Sequence, residues 1–181
     1  MKQLIQNHPK KAAAAAIAVA LAAPMEGIKF TPYYDPPGIL TVCEGHTGRD
    51  VVKGRVYSLA ECRAFMDKDM AHAVDLVDAC QPNLPEKVLA SFADATYNMG
   101  PTVACDQKHS TAAHLLATGD WAGACKQLPR WNKARVGGAM IELPGLTKRR
   151  NLEMNLCLDG VADYQRSVLI EQHHAMTGSR A

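Results

Sequence analysis

The strongest constraint in this chain is an alanine-rich run placed almost against an acid. Ala12–Ala23 reads AAAAAIAVALAA, follows Lys2, Lys10 and Lys11, and meets no charge until Glu26. An uncharged apolar run with its cations on the amino-terminal side has the outline of an export signal. At about 1.5 Å per residue, the run covers roughly 18 Å of a hydrocarbon layer about 30 Å thick. Alanine adds little to insertion, so the run spans a bilayer only marginally. Ala20-Leu21-Ala22 also satisfies the small-x-small rule of signal peptidase, which keeps a cleaved signal open. A buried alanine-rich helix of a cytoplasmic protein is the third reading.

After Pro24 the texture stays uniform, without a repeat, a long linker or a second change in composition. The reading is an amino-terminal segment over residues 1–25, one domain over 26–165 and a tail over 166–181. With 181 residues and 48% hydrophobic content the chain can bury a real core, which excludes a disordered chain or a miniprotein held by disulfides alone. A net charge of +2 gives no electrostatic reason to expect nucleic acid, and none is expected. Six cysteines without a C-x-x-C pair fit disulfides and an oxidising compartment better than zinc or thiol exchange. No metal and no cofactor is expected, and His173-His174 has no third ligand near it in sequence.

Residues 31–57 scatter Pro32, Pro36, Pro37, Gly38, Gly45, Gly48 and Gly54 between short β-prone pieces such as Ile39–Val42, the pattern of a small antiparallel sheet. Beyond it the chain reads helical. Ser58-Leu-Ala-Glu61 is a capping box opening a helix to about Cys80, with Phe65, Met66, Met70, Ala73, Val74 and Val77 on one face. Further helices are expected over 85–98, 109–117, 119–128 and 145–158. The fold class is α+β, mostly helical with one small sheet.

The chemistry is expected where polar residues meet that sheet. Glu26 ends the first helix, Asp35 sits nine residues on in a proline-rich turn, and Thr41 follows on a strand. Glycoside hydrolysis uses such a pair: an acid kept protonated by a partly apolar site, and an ionised carboxylate across the bond. Met25, Ile28, Phe30 and the alanine run surround Glu26 in sequence, so Glu26 is expected to titrate above the usual value of about 4.3 and Asp35 is not.

Glu-x8-Asp-x5-Thr followed by Cys43-Glu-Gly-His46-Thr-Gly resembles the catalytic signature of the phage-type lysozymes, glycoside hydrolase family 24, especially the lambdoid phage endolysins. The resemblance continues through Tyr97–Gly100, Ser110–Leu116, Gly119–Cys125, Trp131 and Gly145–Glu153, covering about residues 24–160. It implies a lysozyme-like fold with the sheet beside the catalytic cleft. It also implies Glu26 as general acid, Asp35 as second carboxylate, Thr41 as the hydroxyl beside it, and Thr47, Tyr97, Ser110 and Gln127 as saccharide contacts. Peptidoglycan is the implied substrate, the β-1,4 bond between N-acetylmuramic acid and N-acetylglucosamine the implied target, host-cell lysis the implied role, and a monomer the expected state. A non-catalytic peptidoglycan-binding protein would not require the acid. A lytic transglycosylase would not require Asp35.

Of the fifteen possible disulfide connectivities, chain order suggests Cys43 with Cys62. The packing of relatives suggests Cys80 with Cys105 and Cys125 with Cys157; six buried free thiols is the alternative. His46 is read as an anchor of the sheet, Trp121 and Trp131 as core, and Arg149, Arg150 and Glu153 as a structural ion-pair cluster.

The first segment also resembles the signal-anchor-release segments of lambdoid endolysins. In that reading residues 12–25 hold the enzyme uncleaved at the periplasmic face of the inner membrane, then leave the bilayer and pack as the first helix. Replacing several of Ala12–Ala16 by leucine is expected to trap the protein in the membrane fraction and abolish lysis with the domain still folded. Recovery of a fully active protein beginning at Ala23 would establish cleavage instead.

Overall fold

The computed structural model describes residues 8–35 and 38–178. Lys2 and the rest of residues 1–7, the turn prolines Pro36 and Pro37, and the last three residues of the tail lie outside the described residues.

Helix α1, Pro9–Ala22, starts with proline at its first turn, where the missing amide costs no hydrogen bond. Ala14, Ala18 and Ala22, four residues apart, form its fully buried face. That face packs on α2 (Leu59–Cys80) and α3 (Glu86–Met99). Lys11 at its start reaches Asp75 at 3.1 Å and Asp78 at 2.9 Å on α2. Among the described residues no helix is long and apolar enough to cross a membrane.

Three short antiparallel strands follow: β1 (Lys29–Tyr34), β2 (Leu40–Cys43) and β3 (His46–Thr47), in the order β1-β2-β3. Tyr33 pairs with Thr41 and Thr41 with Thr47. Val42, Cys43, Val51, Tyr57 and Cys62 make a small core beneath this sheet.

The capping box of α2 is formed as expected, with the Glu61 amide donating to the Ser58 hydroxyl and the Ser58 amide to the Glu61 carboxylate at 2.9 Å. Of its expected apolar face, Met66, Met70, Ala73, Val74 and Val77 are buried in the main core, while Phe65 turns to the sheet core. Helix α3 is the centre of the larger lobe, with every residue from Val88 to Thr96 buried. Around it lie α4 (Thr102–Cys105), α5 (Thr111–Ala117), α6 (Trp121–Cys125) and a 3-10 turn over Leu128–Trp131. The helix expected over 119–128 is thus shorter, because Pro129 cannot continue an α-helical ladder.

Two elements depart further from expectation. A hairpin of β4 (Lys133–Val136) and β5 (Ala139–Glu142) turns through Gly137 and Gly138, both at positive φ. Helix α7 runs from Pro144 to Gly178, twenty residues past the expected end, so the described part of the tail is helical. No proline follows Pro144 to stop it.

The six cysteines pair as Cys43–Cys62, Cys80–Cys105 and Cys125–Cys157. The first ties the sheet to α2 and the third ties α6 to α7. Trp121 and Trp131 pack on the main core, as expected.

Helices α3 and α7 pack tightly at Gly160, where a Cβ would stand 2.7 Å from the Lys87 Cβ and 3.0 Å from the Val88 amide nitrogen. Backbone cannot yield there as a flexible side chain would. Gly160→Ala is therefore expected to cost about 1–3 kcal/mol of stability, read as a lower urea midpoint at unchanged slope.

Candidate active site

Glu26 lies in the bend just after α1, its amide still reaching back to the Ala22 carbonyl at 3.2 Å. Its carboxylate, 22% exposed, accepts a hydrogen bond from Nη1 of Arg149 at the start of α7. The partner comes from 123 residues away, which local sequence cannot show.

Arg149 belongs to a buried cluster at the contact between α3 and α7. Its Nε and Nη2 donate to the two oxygens of Asp94 at 3.0 and 2.7 Å, a bidentate pair. Arg150 donates to Glu153 at 2.5 Å and to Asn98 at 3.2 Å. Asp94, Arg150 and Glu153 are fully buried and Arg149 is almost so. Burial alone would push the Arg149 guanidinium down; the hydrogen bonds and charges of Asp94 and Glu26 outweigh it and push it up. Glu153 goes the other way: desolvation first, and the facing Asp94 next, hold its carboxyl well above the ordinary range. Its Oε2 is buried without a hydrogen-bond partner among the described residues.

The cluster read from sequence as structural is thus structural and also touches the candidate acid. Arg149 and Asp94 are the members that sequence reasoning missed in that second capacity. The available signal was the pairing of an acid on an otherwise apolar helix, Asp94, with the adjacent arginines.

Asp35 follows β1 and shapes the turn to β2. Its amide donates to the Ile39 carbonyl at 3.0 Å, its carbonyl accepts from Gly38 at 2.8 Å, and Oδ1 accepts from the Ile39 amide at 2.7 Å. Gly38, at φ +84°, supplies the left-handed residue that this turn needs. Thr41 is buried on β2, donating to the Ile39 carbonyl at 3.1 Å. The turn and the strand are therefore locked together through Ile39, one residue serving both Asp35 and Thr41.

The four other expected contacts are distributed. Thr47 is exposed on β3 as the register partner of Thr41. Tyr97 on α3 donates to the Glu44 carbonyl at 2.6 Å, and burial, with the charge of Glu26 next, pushes its hydroxyl up. Ser110 is buried as the cap of α5, donating to the Val103 carbonyl and accepting from the Ala113 amide. Gln127, half-buried, accepts from Arg130 at 3.0 Å. Thr47 and Tyr97 thus cluster with the sheet, whereas Ser110 and Gln127 sit in the helical lobe.

His46 stacks on Phe65 with ring centroids 4.0 Å apart and engages Asp69 at 2.6 Å and Asp50 at 3.1 Å. It anchors the sheet to α2. Among the described residues no group of three or more metal-ligating side chains converges, and His173 and His174 are exposed on the end of α7.

A carboxyl fixed on a buried guanidinium, and a turn that orients a second carboxylate, are groups of the kind a lysozyme-type glycosidase uses. The chain belongs to the phage lysozyme family, which it matches over residues 23–153. It is 37% identical over 137 residues to the SAR-endolysin of Enterobacteria phage P21, covering 75% of this chain and 79% of that relative. It is 36% identical over 161 residues to the SAR-endolysin of Escherichia phage Mu, covering 81% and 90%. The fold is that of the active form of the P1 phage endolysin Lyz, with a TM-score of 0.67 at 23% identity over 80% of this chain and 84% of that one.

A carboxyl held protonated in the folded state binds a proton that its unfolded form has released, so stability falls as pH rises from the ordinary carboxylate range toward the folded value. Glu153→Gln, which fixes the neutral form, is expected to keep the acid-side stability and flatten this decline. Urea unfolding at a series of pH values measures it; an unchanged slope would show that Glu153 is ionised when folded.

Proposed function

We propose that this protein is a phage endolysin that hydrolyses the β-1,4 bond between N-acetylmuramic acid and N-acetylglucosamine in peptidoglycan. Glu26 donates its proton to the glycosidic oxygen as the bond to the anomeric carbon breaks. Asp35, ionised, faces the positive charge that develops on the sugar ring, and Thr41 orients water beside it. Water supplies hydroxide to the anomeric carbon and returns the proton to the acid–base pair, so the balance closes without a cofactor. Thr47, Tyr97, Ser110 and Gln127 border the glycan path, Thr47 and Tyr97 from the sheet side and Ser110 and Gln127 from the helical lobe.

The observation that carries this reading is the fixed, solvent-reaching Glu26 carboxyl on the Arg149 guanidinium. A protein that only bound glycan would need no such acid. In the same reading residues 1–25 form a signal-anchor-release segment, 26–165 the catalytic domain and 166–181 an appendage to it. The protein is first tethered to the inner membrane through residues 12–25 and then acts in the host periplasm. Related proteins carry the SAR-endolysin name, and the packed α1 is the form such a segment would take after release.

Glu26→Gln is expected to slow clearing of outer-membrane-permeabilised Gram-negative cells by at least about 100-fold, the usual worth of a general acid. Released fragments from the parent should carry reducing ends. Equal clearing by both proteins would end the assignment, and anhydro-sugar ends would replace hydrolysis by transglycosylation.

A further inference from the structure

We propose that Asp94 is a positioning residue for the candidate acid: it fixes the Arg149 guanidinium and sets a negative charge against it, so that Arg149 aims Glu26 without stripping it of its proton. The inference rests on the reading of Glu26 as general acid.

The geometry divides the donors of Arg149 in two. Nε and Nη2 are taken by the two oxygens of Asp94 at 3.0 and 2.7 Å, leaving Nη1 for Glu26. Two parallel bonds set the plane of the fork, so Asp94 decides where Nη1 points. A cation in contact with a carboxyl favours its ionised form, which is the wrong form for a group that must deliver a proton. The countercharge on Asp94 is fully buried, and a buried charge acts through a low effective dielectric.

The charged and titratable groups around Glu26 leave this task to Asp94. Helix α7 presents Arg149 and Arg150 to Glu26 and α3 presents Tyr97, while Asp94 and Glu153 stand behind the two arginines and Glu44 and Asp69 act on Tyr97. Arg150 donates to Glu153 at 2.5 Å and to Asn98 at 3.2 Å. Glu153 stands 3.6 Å from Nε of Arg149, farther than Asp94, and burial pushes its carboxyl up.

Asp94→Asn keeps the shape and removes the charge. In a profile of kcat/KM against pH, the alkaline limb should move at least about one unit lower. The rate should fall about tenfold at pH 7, mainly in kcat, and approach the parent near pH 5. An equal loss at every pH, or an unmoved limb, would overturn the proposal. Titration of the carboxyls by carbon-13 NMR, with Glu26 assigned through Glu26→Gln, reads the same effect without turnover. A lowered Glu26 midpoint in a parent protein that cuts no glycan would sink the hydrolase reading and keep the role of Asp94. An unmoved midpoint in an active parent would do the reverse. Should Asp94→Asn fail to fold, the pair Asp94→Asn with Arg149→Gln removes both charges. Its Glu26 midpoint should lie at or above that of the parent, and a lower one would overturn the proposal.

Discussion

The ion pair between Arg149 and Asp94 is the interaction on which both halves of this molecule depend. Isolated buried charges are costly, and a buried pair is tolerated only when its geometry and hydrogen bonding are nearly complete. Here the pair sits at the contact of α3 and α7 with both partners buried. Loss of one partner leaves the other as an uncompensated charge, at a cost of about 3–5 kcal/mol. The position of α7 against α3 is thereby selected by charge as well as by apolar contact. The remaining donor of the same guanidinium reaches Glu26, so the alignment of two helices is also the alignment of that carboxyl.

The segment that carries Asp35 and Thr41 is held by different means. Asp35 and Thr41 are held by backbone hydrogen bonds of a tight turn and a short strand, with Ile39 common to both. His46 clamps this sheet to α2 through Asp69, and the Cys43–Cys62 disulfide clamps it again two turns of chain away. A sheet of three short strands has too small an apolar face to be stable alone. The two clamps make it an extension of α2, so that one helix carries the sheet while α3 and α7 hold the arginine that meets Glu26.

Local signals in the sequence were sufficient wherever structure is local. Ser58 and Glu61 announced α2, Pro and Gly spacing announced the sheet, and the acid, turn and hydroxyl followed in order. The hairpin at 133–142 escaped because its strands are short and exposed, although Gly137-Gly138 between them is the turn chemistry of a two-residue hairpin. The end of α7 escaped because its last turns bury almost nothing, leaving no apolar periodicity to follow. The surroundings of Glu26 escaped for a stronger reason. Its sequence neighbours are apolar, but its partner arrives from the far end of the chain, and the electrostatic environment of a carboxyl belongs to the fold.

The alanines of α1 illustrate how one composition can answer to two solvents. Ala14, Ala18 and Ala22 are wholly enclosed between α1, α2 and α3, where interiors are packed to crystal density and an added methylene or two forces strain. Larger apolar residues would gain transfer free energy from any apolar medium, but along this face they would lift α1 from its neighbours and carry Glu26, four residues past its end, away from Arg149. Small side chains are therefore required by the folded enzyme, independently of any membrane. Those same side chains make the segment a weak partner for a bilayer, because insertion energy scales with the apolar surface that alanine lacks. The same alanines that let α1 close against α2 and α3 thus keep its affinity for any apolar medium low.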